Sequence, residues 1–295
     1  MRVQFSLSAQ IMKKVLVILG PTASGKSELA VKLAQKFNGE IISADSRQVY
    51  KDLNVGTGKI TKKEMRGIPH YLLDVANPNK QFTAARYKEL ALNSLQYIVT
   101  NSRLPIIVGG TGFYIDALTG TVSLPDVPPN QKLREKLNRK SATELFKILK
   151  KKDPRRAKTV DQNNKVRLIR ALEIIKALGR VPALIPSVNK NWKFIFIGLK
   201  PNDLDKRIEK RVKKMFKDGL LNEVKKLKGL GVSNKRLKEL GFEYWNPTEE
   251  SVVRESKKYA KRQMTWFKRN KKIKWFKPED LKEIEKYVRM ALLGD

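Results

Sequence analysis

Lys14-Val15-Leu16-Val17-Ile18-Leu19 runs directly into Gly20-Pro21-Thr22-Ala23-Ser24-Gly25-Lys26-Ser27, and a helical stretch from Glu28 to Phe37 follows. An apolar strand, a glycine-bounded turn ending in Lys-Ser and a helix form the setting in which the phosphate-loop pattern has physical meaning. Gly20 and Gly25 permit a tight turn, so successive backbone N–H groups face one anion-sized hollow, and the helix start adds the positive end of its dipole. Lys26 brings a mobile point charge, and the Ser27 hydroxyl is placed to bind magnesium. The stretch reads as a grip on a polyphosphate, and the compound held is left open.

Working outward, the first 120 or so residues alternate β-branched runs with helical stretches, as a parallel sheet covered by helices does. Strands are expected at Lys14 to Leu19, Glu40 to Ala44, Tyr71 to Val75 and Pro105 to Val108, with a helix over Thr83 to Val99 capped by Thr83. A further strand, Lys193 to Leu199, comes much later. Between them lies an interruption bounded by Leu124-Pro125-Asp126-Val127-Pro128-Pro129 and by Val181-Pro182 through Pro186, two proline-rich hinges. Leu168, Leu172, Ile175 and Leu178 share one helix face there, with Arg167 and Arg170 nearer the other. The expected fold class is therefore α/β, a core of residues 13–125 and 187–295 with a small all-helical insertion at 126–186. Asp203 to Leu227 and Thr248 to Trp266 read as helices.

Composition narrows the partner. Lys and Arg number 63 against 29 Asp and Glu, a formal charge of +34, which attracts nucleic acid or another polyanion. A Lys-rich surface adapted to heat would show part of the same signal. The chain has no Cys and one His, His70, which excludes disulfides, thiolate metal sites and a Ser-His-Asp triad, and leaves oxygen ligands for any metal. No membrane-length apolar run occurs, and Met1 to Ile11 lack the pattern of a signal peptide. Residues 1–11 are expected to be a tail or an over-long start before Met12, and the chain to be cytoplasmic, without membrane contact and monomeric.

Two further runs carry chemistry. Ala44-Asp45-Ser46-Arg47-Gln48-Val49-Tyr50 ends the second strand, and ligands of open parallel sheets lie at the carboxyl ends of strands, so Asp45 faces whatever sits beside the phosphate loop. A carboxylate there can take a proton, hold magnesium through water, or merely cap a turn. Gly109-Gly110-Thr111-Gly112-Phe113-Tyr114 follows another strand at the same edge, where glycines allow close backbone approach and Thr111 offers a hydroxyl. Lys257 to Lys277 holds ten Lys and Arg with Tyr259, Trp266, Phe267, Trp275 and Phe276 among them, a mixture suited to phosphate contact and base stacking. Trp266 and Phe267 equally suit the core of a basic-surfaced helix.

The phosphate loop, Asp45 to Tyr50, Gly109 to Tyr114, Arg170-Ala171-Leu172-Glu173 and Lys261-Arg262-Gln263-Met264-Thr265-Trp266, in that order over residues 14 to about 270, resemble the tRNA dimethylallyltransferase family. The resemblance implies a P-loop NTPase-like, kinase-like fold. It also implies transfer of a dimethylallyl group from dimethylallyl diphosphate to the exocyclic amine of the adenine on the 3′ side of the anticodon, with diphosphate released. Free-nucleotide adenylate isopentenyltransferases share much of this motif set, and a P-loop nucleotide kinase shares the loop. The insertion, the basic aromatic stretch and the +34 charge favour tRNA.

By the same resemblance Asp45 is the base that takes the proton of the amine, and Thr22 lies beside the donor diphosphate. Residues 20–27 bind that diphosphate with Mg2+ at Ser27, and Arg211, within Arg207-Ile208-Glu209-Lys210-Arg211-Val212, is a remote arginine on the leaving group. A base inside a folded anticodon loop must be swung out of its stack. Asp45, Ser46, Arg47 and Gln48 then meet the extruded adenine and Thr111 the adjoining nucleotides. Arg134, Asn164, Lys165, Arg167 and Arg170 of the insertion clasp the stem-loop, and Arg262 and Gln263 join the tRNA surface. The chain departs from the family at Lys238-Glu239-Leu240-Gly241-Phe242-Glu243, where Ala or Val-Ile more often precedes the Gly and Tyr follows it, and at Lys213, where many relatives carry Asp. Asp74, at another strand end, competes with Asp45 for association with magnesium.

Overall fold

The computed structural model describes residues 13–183 and 191–294. Its elements begin with β1 (Lys13–Leu19), α1 (Lys26–Lys36), β2 (Gly39–Ser43), α2 (Lys62–Met65), β3 (His70–Tyr71), α3 (Ala84–Thr100), β4 (Leu104–Gly109) and α4 (Gly112–Thr119). Four helices follow, α5 (Gln131–Asn138), α6 (Ala142–Lys152), α7 (Pro154–Ala157) and α8 (Lys165–Leu178). The chain then returns through β5 (Trp192–Leu199), α9 (Leu204–Lys217), α10 (Leu220–Gly229), α11 (Asn234–Leu240), α12 (Glu249–Phe267), β6 (Lys274–Phe276) and α13 (Leu281–Leu293). Two compact units result, Met1–Gly120 with Val188–Asp295, and Thr121–Ser187. The first boundary falls at Gly120, the left-handed cap that ends α4, earlier than the proline run suggests.

The larger unit is a six-stranded sheet in the order β3-β2-β4-β1-β5-β6, with every pairing parallel. Strand β1 is central and buried on both faces. Val15, Val17 and Leu19 point into a cluster with Tyr87, Ala91, Leu95 and Ile98 of α3 and Ile115 and Leu118 of α4. Leu16 and Ile18 point the other way, into Leu29, Ala30 and Leu33 of α1 and Ile284 and Val288 of α13. This period-two division explains a continuous apolar run between two helical layers. Leu16 pairs with Ile106 of β4 and with Ile195 of β5, which sets the ends of β1, β2 and β4 at one edge of the sheet.

Two expected elements differ. Tyr71 to Val75 does not continue as a strand, because Leu72 and Asp74 adopt positive φ (63° and 57°) and turn the chain away after Tyr71. The helix expected over Asp203 to Leu227 is two helices, broken where Gly219 takes φ 96° and starts α10. Thr83 does cap its helix, accepting the Arg86 N–H at 3.2 Å, and Thr248 closes a capping box on α12.

The smaller unit packs α5, α6 and α8 around Leu145, Leu149, Leu168, Leu172 and Ile175. Leu178, expected on the same buried face, is 47% exposed at the frayed end of α8. The segment from 184 to 186 of the second proline hinge, and the tail at 1–11, lie outside the described residues. The centre of this unit is Glu173, 1% exposed, whose Oε1 accepts the Asn130 N–H (2.6 Å) and Arg134 Nε (2.9 Å) while Oε2 accepts Arg134 Nη2 (2.9 Å) and Arg170 Nη1. Burial alone would push this carboxyl up, but the hydrogen bonds from Arg134, Asn130 and Arg170 outweigh it and hold it at about 2. Arg170 also donates to the Val127 carbonyl (2.8 Å). Arg134 and Arg170, expected on the RNA side, thus make an internal cross-link while keeping 25% and 34% of their side chains exposed.

A depressed carboxyl stabilises the fold above its ordinary value of 4.5 and loses that contribution as pH falls toward about 2. Glu173→Gln is expected to lower unfolding stability by about 2 kcal/mol at neutral pH. Denaturation curves of both proteins should converge over that acid window, and a constant gap between them would remove the carboxylate as the source.

Candidate active site

The site is built where β1, β2 and β4 end. One cavity there is lined by Thr22, Lys26 and Ser27 of the phosphate loop, Asp45, Arg47 and Gln48 after β2, and Gly109 and Gly110 at the end of β4. Its far wall adds Gly56 to Gly58, Arg211 and Met215 of α9, Phe242 and Glu243, and Ser256, Tyr259 and Gln263 of α12. Every residue of this wall belongs to the larger unit.

Gly25 opens α1 with φ 89°, so the chain turns sharply before Lys26 and the first-turn N–H groups of α1 lack intrahelical partners. Lys26 Nζ folds back on the Pro21 carbonyl (2.6 Å). Burial, reinforced by Arg211 across the cavity and opposed by Asp45, lowers the Lys26 ammonium to about 7. Arg211 donates from Nη2 to the Thr57 carbonyl at 2.8 Å. Two half-buried cations thus face one hollow, an arrangement that a polyanion relieves.

Asp45 is held by its own turn, Oδ1 accepting the N–H groups of Arg47 (2.9 Å) and Gln48 (3.2 Å), which orients the carboxylate in the cavity wall. Thr111 Oγ1 accepts the Ser46 N–H (2.9 Å) and donates to Ser46 Oγ (3.2 Å), tying the loop after β4 to the loop after β2. Tyr259 is hydrogen-bonded to Thr111, and burial beside Asp45 pushes its phenol up to about 12, so it stays a neutral hydroxyl. Gln48 Nε2 reaches toward the Thr57 and Gly58 carbonyls (3.4 Å each).

Not every expected contact faces outward. Gln263 is 6% exposed, its Oε1 accepting the Thr22 N–H (2.8 Å) and its Nε2 donating to the Gly110 carbonyl (2.9 Å), so it joins the two glycine loops from within. Arg47 pairs with both oxygens of Glu243 (2.6 and 2.5 Å) and lies over Phe242 and Tyr259 (5.0 and 5.4 Å). Asp74 lies outside the cavity lining and pairs with Lys59 at 2.6 Å, leaving Asp45 as the carboxylate beside the loop. Arg262 and Lys213 are exposed, Phe267 is core, and Trp266 is anchored by Nε1 on Asp116 (2.8 Å) under Arg269. In the smaller unit Asn164 caps α8 through the Arg167 N–H (3.1 Å), Lys165 holds the Asn138 carbonyl (2.7 Å), and Arg167 is exposed. Sequence reasoning missed Gly56 to Gly58 and Ser256, which carry no local motif, and met Glu243 only as the end of the segment that departs from the family.

A phosphate loop, a second, half-buried cation and a fixed carboxylate on a parallel sheet define a P-loop enzyme that transfers a group from a phosphorylated donor. The profile described as IPP transferase matches residues 48–270. The tRNA dimethylallyltransferase of Thermoanaerobacter sp. (strain X514) is 40% identical over 308 residues, covering 95% of this chain and 98% of the relative. That of Anoxybacillus flavithermus is 37% identical over 296 residues, 95% of each chain. Among solved structures, the tRNA isopentenylpyrophosphate transferase of Bacillus halodurans is similar at TM-score 0.69 and 35% identity, over 95% of this chain and 97% of that one. A eukaryotic dimethylallyltransferase acting on tRNA is similar at TM-score 0.79 and 27% identity, over 95% and 78%. This chain belongs to the IPP transferase family.

Lys26 grips an anion as the ammonium, the form favoured below pH 7 in the free site. Affinity for inorganic diphosphate is therefore expected to be full below that value and to fall by up to about tenfold per pH unit above it. Calorimetry across this range, beside Lys26→Arg, which remains cationic throughout, isolates the contribution; identical pH profiles for the two proteins would exclude it.

Proposed function

We propose that this protein is a tRNA dimethylallyltransferase that alkylates the exocyclic amine of the adenine 3′-adjacent to the anticodon. The observation that carries the reading is the convergence of the phosphate loop, Lys26, Arg211 and Asp45 on one cavity. Dimethylallyl diphosphate places its diphosphate against the loop, with Thr22 beside it, and Lys26 and Arg211 neutralise charge as the allylic C–O bond breaks. The adenine amine is a poor nucleophile because its lone pair is delocalised into the ring. Asp45 accepts its proton as the N–C bond forms, and diphosphate leaves. Gln48 and Tyr259, neutral polar groups of the cavity lining, with Ser46 and Thr111 tied to each other beside it, suit recognition of an extruded base and its neighbours.

The donor set also fits magnesium. Among the described residues no three His, Cys, Asp or Glu side chains gather as a metal cage, while the exposed Ser27 hydroxyl stands at the start of α1. Ser27 together with donor phosphate oxygens would hold the ion, which supplies further neutralisation of the leaving group. No helix among the described residues is long and apolar enough to cross a membrane. Residues 121–187 carry seventeen Lys and Arg against six Asp and Glu, which suits a clasp on the phosphates of a stem-loop.

Asp45→Asn is expected to leave tRNA affinity nearly unchanged and to slow single-turnover transfer from labelled dimethylallyl diphosphate to unmodified tRNA by about two to four powers of ten. An unchanged rate would remove Asp45 as the base. Free AMP and ATP serve as controls, and labelling of either in preference to tRNA would overturn the acceptor assignment. Affinity for tRNA should fall steeply with salt, with a log–log slope of several released counterions. A flat dependence would refute phosphate contact as the purpose of the charge.

A further inference from the structure

Glu223 of α10 has no role in the chemistry above, yet its carboxylate is 9% exposed and fully occupied. Oε2 accepts the N–H groups of Asn54 (2.8 Å) and Val55 (2.7 Å), and Oε1 accepts the N–H of Gly56 (2.9 Å) and the hydroxyl of Tyr244 (3.1 Å). Three successive amides turned on one carboxylate fix the backbone of residues 54–56. The next carbonyl, that of Thr57, accepts Arg211 Nη2 from the other side. The fit is close: a Cβ on Gly58 would lie 2.5 Å from Arg211 Nη2, and one on Gly56 would lie 2.7 Å from the Tyr244 ring.

Arg211 needs such a tether. Asp45 and Glu243 both attract its guanidinium, and a long side chain collapsed onto either would leave the diphosphate without its second cation. The Thr57 carbonyl holds the guanidinium away from them without neutralising it.

We propose that Glu223 is a positioning residue for the transfer reaction: by fixing the loop from Asn54 to Gly58 it aims the Thr57 carbonyl, and through it Arg211, at the leaving diphosphate. The inference rests on the prenyl-transfer reading of the site. Its effect belongs to the donor side, so tRNA affinity is not involved.

The test is a double-mutant cycle on the full chain, with wild type, Glu223→Gln, Arg211→Lys and the double variant, each measured below its unfolding temperature with magnesium present. Glu223→Gln is expected to slow saturated single-turnover transfer by about tenfold and to weaken inorganic diphosphate several-fold, and both losses should shrink to about twofold or less in the Arg211→Lys background. Tyr244→Phe, which removes one of the four hydrogen bonds, should give a loss of about two- to threefold with the same dependence on Arg211. Equal losses in both backgrounds, or a lowered melting temperature with unchanged rate and diphosphate affinity, overturn the proposal. If Glu223→Gln does not fold, the Tyr244→Phe cycle decides by the same criteria. Diphosphate binding requires no transfer, so a wild-type protein that binds diphosphate but does not prenylate tRNA defeats the reaction while the coupling of Glu223 to Arg211 is still read from the titration.

Discussion

Lys26 and Arg211 are held in one hollow where burial disfavours both charges and Arg211 further disfavours that of Lys26, and much of the surrounding structure keeps them apart from the anions that would quench them. Pro21 and Thr57 offer carbonyls, which hold a cation in place and leave its charge intact. Glu243, whose carboxylate also attracts Arg211, is occupied by both oxygens on Arg47. Asp45 is turned by its own backbone. A site organised in this way has met its reorganisation cost at folding, so the charge that develops on a leaving diphosphate meets dipoles and cations already aimed at it.

The acceptor side is tied to the donor side by a single amide. Gln263 takes an N–H from the phosphate loop and gives one to the loop after β4, while Thr111, next in that loop, fixes Ser46 beside Asp45. The phosphate loop and the turn that carries Asp45 are thereby linked through a short chain of hydrogen bonds between three strand ends. Displacement at an allylic carbon needs nucleophile and leaving group aligned on opposite sides, and errors of an ångström are costly. A buried glutamine in the middle of a helix otherwise rich in exposed Lys and Arg makes sense on those terms.

What the sequence made legible was local. The phosphate loop, β1 and Asp45 declare themselves because strand, turn and side chain are contiguous, and period-two burial of Val15 to Leu19 follows from the run itself. What stayed hidden depends on partners far along the chain. Gln263 lies 241 residues from Thr22 and Arg47 lies 196 from Glu243, so both read as free polar groups available to RNA. Arg134 and Arg170 share that history, since the carboxylate that holds them is a single Glu amid seventeen basic residues. The break at Gly219 and the turn after Tyr71 are positive-φ events, and at Leu72 and Asp74 the residue type gives no notice of them.

Those internal commitments sharpen the meaning of the charge. Glu173 and Glu243 are occupied by Arg134, Arg170 and Arg47, so these internal charges largely cancel among themselves and the excess of Lys and Arg behind the formal +34 lies on the rest of the chain. Such a surface draws in any nucleic acid through its phosphates and carries no sequence information. In the reading proposed above, discrimination falls to neutral groups whose hydrogen bonds have direction, Gln48 and Tyr259 in the cavity lining and Ser46 and Thr111 beside it. A neutral Tyr259 and an uncharged amide can tell donor from acceptor on a base edge, which an ammonium cannot. On that proposal affinity and selection are divided between the basic surface and these polar groups, which are also tied by hydrogen bonds to the turn that carries Asp45.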